Sequence, residues 1–260
     1  MRDRPPLLLT LLAAIGVVFV GLPVVGLVVR ADWGDLAHTL SDSGGWVALR
    51  LSLVVSLAAT VLAALFGMPL AWLLARGAFP GRALLRAVVI LPLVLPPVVG
   101  GIGLLAALGR GGIVGRFLYD QLGVQLTFTV GGAVLAAAFV SMPLMILATE
   151  AGLRSIDRRF ERAASALGGR PGYVLRRVTL PLLAPQLVAG AILTWARALG
   201  EFGATLTFAG NLPGRTQTLP LAVFEVRQTD PDAAVLLSLL LVAVSIGVLV
   251  ALRDRITQAA

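Results

Sequence analysis

Six long apolar stretches dominate this sequence and leave it few ways to fold. They cover residues 7–29, 51–75, 87–108, 126–149, 182–209 and 233–252. A helix needs about 20 apolar residues to cross a hydrocarbon layer of about 30 Å, and each stretch reaches that length. Because the runs are continuous and do not alternate, helices are favoured over a β-barrel. We therefore expect an all-α, polytopic transmembrane bundle of about six helices, forming a single domain over residues 1–260.

The residue types that are missing exclude several chemistries. The chain has no Cys and one His, His38, which excludes thiol chemistry and a multi-histidine metal centre. All 21 basic residues are Arg, so a phosphate-binding loop ending in Gly-Lys-Ser or Gly-Lys-Thr cannot form. We expect no catalytic residue, no metal and no cofactor in this chain, and nucleotide energy would have to come from a partner. A membrane enzyme is the disfavoured alternative.

Successive loops between the spans lie on alternate sides of the membrane, and the arginines are distributed unevenly between these two sides. Of the 21, 14 fall on the side of both termini and 6 on the opposite side. Positively charged loops mark the cytoplasm, so both termini are predicted to be cytoplasmic, and residues 30–50, 109–125 and 210–232 to face outward. The net charge of +8 then reflects topology and anionic headgroups, and nucleic acid is not expected as a partner.

The third apolar stretch carries a dense group of helix-breaking residues. Pro92, Pro96 and Pro97 lie within six positions and glycines follow them. Proline removes a backbone donor, so a straight helix is not expected here. Broken backbone at membrane depth is typical of a pathway wall or a gate, for which Pro96 and Pro97 are candidates. A packed kink near a helix end is the alternative.

A short amphipathic helix is predicted at residues 155–168, between the fourth and fifth stretches. Ser155 can cap it, and Gly168 can end it. Its apolar positions follow the spacing of one helical face, and its charged residues lie on the other. The helix is too short and too charged to cross a membrane. Either it lies on anionic lipid, or it fits a groove on a cytoplasmic partner. The apolar positions are Ile156, Phe160, Ala163, Ala164 and Leu167.

Two segments of this region resemble a known signature. Residues 161–168, Glu-Arg-Ala-Ala-Ser-Ala-Leu-Gly, and the Val-Thr-Leu-Pro at 178–181 are similar to the cytoplasmic motif of permease subunits of bacterial ABC importers. Arg162 interrupts the usual Glu-Ala-Ala triplet. The resemblance implies a type I importer permease fold and a coupling helix that docks on a cytoplasmic ABC ATPase dimer, which uses ATP and Mg. The implied coupling residues are Phe160, Glu161, Ala163, Ala164, Leu167 and Gly168.

The fifth apolar stretch contains two charges. Arg197 and Glu201 are four residues apart, so they share a helical face and can pair. Charges inside a span are costly and usually face the bundle interior or a water-filled path. The pair either fixes helix packing, or Arg197 helps an anion to pass while Glu201 prevents tight binding. Thr205 is a further candidate on the translocation pathway, although a Thr in a membrane helix often bonds its own backbone.

Residues 196–220 resemble the corresponding stretch of molybdate permease subunits, and the resemblance extends over most of the chain. Sulfate permeases share the Ala-Leu-Gly-Glu at 198–201, so the run at 211–220 is the more discriminating part. The resemblance implies a homodimer with an oxyanion path between the copies and a periplasmic molybdate-binding protein. Asn211, Arg215 and Gln217 are candidates for docking that protein; a solvated turn is the alternative.

The favoured hypothesis is a multi-pass permease subunit in the bacterial inner membrane that imports molybdate. Tungstate and sulfate remain alternatives, because both are similar tetrahedral dianions. A transporter driven by an ion gradient is a less favoured alternative, because such a protein is expected to place more ionisable residues at the membrane midplane.

Overall fold

The computed structural model describes residues 6–42 and 44–251, and this part of the chain is almost entirely helical. Short connections separate the helices, including a 3₁₀ turn at Trp33–Asp35 and a π-helical turn at Leu175–Thr179. The helices in chain order are α1 (Leu7–Arg30), α2 (Leu36–Asp42), α3 (Gly45–Arg76), α4 (Arg82–Val94), α5 (Pro97–Leu108), α6 (Gly115–Leu122), α7 (Val130–Ser155), α8 (Arg158–Ala166), α9 (Pro171–Val174), α10 (Leu180–Leu199), α11 (Gly203–Ala209), α12 (Leu219–Val226) and α13 (Pro231–Ala251).

The described residues contain five helices long and apolar enough to cross a membrane, or six when α4 and α5 are taken as one span. The predicted all-α bundle of about six helices is therefore confirmed. The predicted sixth span ends at residue 252, which lies outside the described residues, as do both termini. The second span begins earlier than expected, at Gly45, because apolar residues precede Arg50 on the same helix.

Small residues bring α3, α7 and α10 together at the centre of the bundle. Ala59 of α3 and Ala137 of α7 are fully buried in one cluster. A Cβ at Gly190 of α10 would lie 2.8 Å from the Cβ of Ala148, so the backbones of α10 and α7 are close at this point. Small side chains allow such close approach between membrane helices, where packing replaces the hydrophobic effect as the source of stability.

The third span is broken, as its prolines predict. The helix axis bends by 119° between α4 and α5. Leu95 and Pro96 have extended backbone angles, and Pro97 occupies the first turn of α5. Proline is tolerated at that position because its missing N–H has no intrahelical acceptor there. Pro92 lies inside α4, so the sharp bend belongs to the Pro96–Pro97 pair and not to the first proline of the run.

The fifth apolar stretch is also broken, although no break was predicted there, and its membrane-length helix runs from Pro171 to Leu199, so the span begins before the predicted residue 182. The stretch 182–209 was expected to be one span, but α10 ends at Leu199 and α11 begins at Gly203. Gly200 closes α10, and the next two residues leave the helical path. The connections expected to be outward-facing loops also hold short helices, namely α2, α6 and α12.

Candidate functional site

The amphipathic helix α8 is present, but it begins later than the sequence predicts. Ser155 does not cap it, because Ser155 is the last residue of α7 and its hydroxyl donates back to the carbonyl of Gly152. Asp157 is the cap instead: its carboxylate accepts a hydrogen bond of 2.9 Å from the N–H of Arg159. At the other end, Gly168 has a φ of 87°, a conformation that glycine adopts without strain.

The apolar residues of α8, and Leu167 directly after it, are not covered by the chain. Phe160 is 58% exposed and Leu167 is 90% exposed. Ala163 is exposed and Ala164 is half-buried, and α8 has no buried residue. The segment lacks the hydrophobic burial that normally holds a helix on a protein surface. Its apolar face is therefore available to a partner or to a lipid surface.

Glu161 points the other way and binds two residues from other parts of the chain. Its Oε1 accepts a hydrogen bond of 3.3 Å from Nη2 of Arg76 and another of 2.9 Å from Oγ1 of Thr179. Arg76 is the last residue of α3, and Thr179 ends the π-helical turn before α10. The sequence analysis did not identify either partner. No local pattern links Arg76 to a residue 85 positions away.

A second charged cluster lies on α7. The buried carboxylate of Glu150 pairs with Arg86 of α4 and, at 2.7 Å, with Arg154 one turn further along α7. Glu150 has only 6% of its side chain exposed, so its charge requires these cations. The spacing of Glu150 and Arg154 suits an i,i+4 pair, but the contribution of Arg86 depends on the packing of α4 against α7.

The breaks in the third and fifth spans lie against each other. A Cβ at Gly203, the first residue of α11, would be 3.1 Å from Cβ of Pro97 at the start of α5. One turn further along α5, a Cβ at Gly101 would be 3.0 Å from the carbonyl oxygen of Ala204. The two short helices α5 and α11 are therefore in close backbone contact, and a side chain at Gly101 would force one of them to shift.

Arg197 and Glu201 form the ion pair that their spacing predicts. The Nη1 of Arg197 lies 2.8 Å from Oε2 of Glu201, with 31% of the Arg197 side chain and 2% of the Glu201 side chain exposed. The helix between them ends at Leu199, so Glu201 also has a second role. Its Oε1 accepts a hydrogen bond of 2.8 Å from the N–H of Ala204 in the first turn of α11, and Glu201 lies one residue before the N-cap position, which Phe202 occupies.

The other predicted pathway residues have different surroundings. Thr205 is 1% exposed, and its hydroxyl has no hydrogen-bond partner among the described residues. Its neighbour Thr207 donates to the carbonyl of Gly203, which is the backbone bond common for threonine in membrane helices. Pro96 is exposed at the bend, whereas Pro97 is half-buried against α11. The structure thus brings Pro97 close to Gly203, two residues after Glu201, and leaves Thr205 inside the protein.

At the opposite end of the bundle from α8, two of the predicted docking residues converge on a third residue. The side-chain amides of Asn211 and Gln217 each donate a hydrogen bond of 2.7 Å to Oε2 of Glu225 on α12. Arg215 is exposed between them in sequence. The sequence analysis did not single out Glu225. The described residues contain no group of three His, Asp or Glu side chains placed to hold a metal ion.

The fold and these sites define a class of protein: a polytopic membrane subunit with broken spans and an uncovered amphipathic helix at one end. The chain belongs to the family described as "Binding-protein-dependent transport system inner membrane component", which matches residues 67–259. This result agrees with the resemblance of residues 161–181 to the permease signature. The crystal structure of a bacterial ABC transporter involved in the import of the acidic polysaccharide alginate has the same fold, with a TM-score of 0.70 at 17% identity, covering 97% of this chain and 94% of that chain.

Curated relatives of similar length are closer in sequence. The molybdenum transport system permease protein ModB of Mycobacterium tuberculosis is 49% identical, covering 90% of this chain and 88% of its own length. The protein of the same name from Escherichia coli K12 is 49% identical, covering 71% of this chain and 80% of its own length. The sulfate transport system permease protein CysT of Salmonella typhimurium is 34% identical, covering 85% of this chain and 82% of its own length.

Proposed function

We propose that this chain is the permease subunit of an ATP-driven importer that carries molybdate across the bacterial inner membrane. The observation that carries the proposal is the difference in similarity between two groups of relatives. Identity is 49% to a molybdenum permease and 34% to a sulfate permease over comparable lengths. Molybdate and sulfate are both tetrahedral oxyanions, so the two groups of relatives indicate the same chemical class of cargo. Molybdate is therefore favoured over sulfate.

The exposed face of α8 supports docking on a cytoplasmic ABC ATPase dimer. Phe160 and Leu167 are large apolar side chains that this chain leaves uncovered, and burying them on a partner removes apolar surface from water. Ala163 and Ala164 between them permit close approach. The ATPase supplies the nucleotide site that this chain lacks, and ATP and Mg are used there. ATP-driven opening and closing would then move α8.

The translocation pathway is proposed to run between two copies of the chain, past Arg197. The Arg197 side chain is 31% exposed, and Glu201 is its one ion-pair partner in the described part of the chain. A guanidinium has five N–H donors, so several stay free for an oxyanion. Glu201 limits the local positive charge, which keeps the anion from binding too tightly to leave. The bend at Pro96 and Pro97, together with Thr205, is proposed to form the gate beside this pair.

The end of the bundle that carries Glu225 is proposed to receive a periplasmic molybdate-binding protein. Asn211 and Gln217 are held there by Glu225, and Arg215 is exposed beside them. Fixed amides and an exposed cation are suited to recognising a polar protein surface. In this arrangement α8 and both termini face the cytoplasm, as the arginine distribution predicts. Substrate selection would belong to the binding protein.

The test is uptake into vesicles that contain this chain with the ATPase and binding protein of its own transporter. We expect uptake of molybdate that requires ATP and that excess molybdate or tungstate reduces more than excess sulfate does. Stronger competition by sulfate would make the chain a sulfate permease. Uptake that proceeds without ATP and follows an imposed ion gradient would contradict the importer function and favour a secondary transporter. Vesicles without the ATPase are the matched control.

A further inference from the structure

We propose that Glu161 is a positioning residue that ties the coupling helix to two membrane helices, and that it does not itself contact the ATPase. This inference rests on the proposed function, because it requires α8 to dock on an ATPase. The inference is based on one carboxylate oxygen, Oε1 of Glu161, which accepts hydrogen bonds from both Arg76 and Thr179. We call these three residues the Glu161 clamp.

Little else attaches α8 to the rest of the bundle. The helix has no buried residue, and an open groove with a volume of about 640 Å³ lies beside its C-terminal end, where α8 contacts α9 and the π-helical turn. Among the described residues, Glu161 is the one side chain of α8 that hydrogen-bonds outside residues 157–166. Since α8 buries no side chain, we expect the polar bonds of the clamp to contribute most to its position relative to the spans.

The clamp joins the ends of two different membrane helices. Arg76 ends α3, and Thr179 is buried in the π-helical turn that leads into α10. A displacement of α8 therefore pulls on both helices at the same time. π-Helical turns inside longer helices are frequent at functional positions. In this one, the last residue is Thr179, and its hydroxyl oxygen lies 2.9 Å from Oε1 of Glu161. Movement of the ATPase would thus reach α10, the helix that carries Arg197.

The exposed fractions of the side chains argue against a direct contact between Glu161 and the ATPase. The side chains of Arg76 and Glu161 are 12% and 21% exposed, whereas Phe160 is 58% exposed and Leu167 is 90% exposed. The large apolar side chains and the exposed arginines of α8 are therefore available to a partner, whereas the carboxylate of Glu161 is sheltered. A sheltered ion pair is also screened less by solvent and salt than a surface pair, so it can hold its geometry while α8 moves.

The experiment compares variants within the complete complex of permease, ATPase and binding protein in vesicles. Glu161→Gln keeps an oxygen for Thr179 but removes the charge that pairs with Arg76. We expect the ATPase to copurify in wild-type amount and ATP hydrolysis to continue, while molybdate taken up per ATP hydrolysed falls about fivefold or more. Arg76→Gln should have the same effect. The double variant should take up as much molybdate per ATP as either single variant, because all three variants lose the same ion pair between Arg76 and Glu161.

Thr179 provides a matched pair of variants that tests the clamp without changing charge. Thr179→Ser keeps the hydroxyl and should keep uptake per ATP near the wild-type value, whereas the nearly isosteric Thr179→Val should lower it. If Glu161→Gln reduces the amount of folded chain, the two Thr179 variants test the positioning role in its place. Equal uptake per ATP in the two Thr179 variants would overturn the proposal. So would loss of the ATPase from Glu161→Gln complexes when Arg76→Gln complexes retain it.

Failure of the clamp and failure of the proposed function give different results. If the wild-type complex takes up molybdate without ATP, or holds no ATPase, the importer function itself is wrong. If the wild-type complex couples uptake to ATP and Glu161→Gln does so equally well, only the positioning role is wrong. The wild-type measurement therefore separates the two proposals before any variant is interpreted.

Discussion

The hydroxyl oxygen of Ser52 accepts a hydrogen bond of 2.7 Å from the backbone N–H of Leu219, a residue 167 positions later in the chain. Ser52 lies near the start of α3, and Leu219 begins α12, which also carries Glu225. Helix α3 has 32 residues, which corresponds to a length of about 48 Å. Its far end is Arg76, in the Glu161 clamp. One continuous helix therefore links the two proposed partner surfaces.

The first prediction concerns the Ser52–Leu219 hydrogen bond. Ser52→Ala leaves a buried N–H without an acceptor, which should lower stability by about 1–3 kcal/mol. Thermal unfolding of the purified chain in detergent measures the effect. Ser56→Ala is the control, because the Ser56 hydroxyl is also buried but only bonds back to Leu53 within the same helix. Equal unfolding temperatures for the two variants would contradict a structural role for Ser52.

The second prediction concerns the uncovered face of α8. Phe160→Ala and Leu167→Ala should leave the unfolding temperature of the isolated chain nearly unchanged, because both side chains are exposed. Both should reduce the amount of ATPase that copurifies, because a docking surface loses apolar contact. Leu122→Ala is the matched control, since Leu122 is 62% exposed and lies on α6. If the ATPase still binds the α8 variants as well as it binds the control, α8 is not its docking site.

The third prediction separates the two interpretations of Arg197 and Glu201. Arg197→Ala leaves a carboxylate that is 2% exposed without its cation, so it should lower stability by about 3–5 kcal/mol. Adding Glu201→Gln removes that charge and keeps an acceptor for Ala204, so the double variant should recover stability. We expect molybdate uptake to stay low in the double variant, because the guanidinium is still missing. Recovery of uptake together with stability would mean that the two residues only neutralise each other.

The fourth prediction concerns the contact between α5 and α11. Gly101→Ala would place a Cβ 2.7 Å from Cβ of Thr207, so α5 and α11 must separate, at a cost of about 1–3 kcal/mol. Gly103→Ala on the same helix is the control, because its new Cβ meets no atom within 4 Å. Unfolding temperature and ATP-driven uptake should both fall for the first variant only. If Gly101→Ala matches the control, the two broken spans do not need to be in close contact.

The charged and polar partners show where sequence reasoning reached its limit. The pairing of Arg197 with Glu201 was predicted, because a spacing of four is a local property of a helix. The pairing of Glu161 with Arg76, of Glu150 with Arg86 and of Asn211 with Glu225 was not, since each joins residues from different helices or connections. The break after Leu199 was also missed, because no proline marks it; its sequence signal is Gly200 and Gly203 on either side of Glu201.

The length and polarity of each segment determined the number of spans and the amphipathic character of α8. The two consecutive prolines determined the bend at Pro96 and Pro97. These are properties of consecutive residues, because hydrophobic thickness and helical period act on one helix at a time. Only the tertiary structure decided which charges meet, such as Arg76 with Glu161. That choice depends on how closely helices approach at their small residues, and a buried carboxylate is stable only where this packing brings a donor to it.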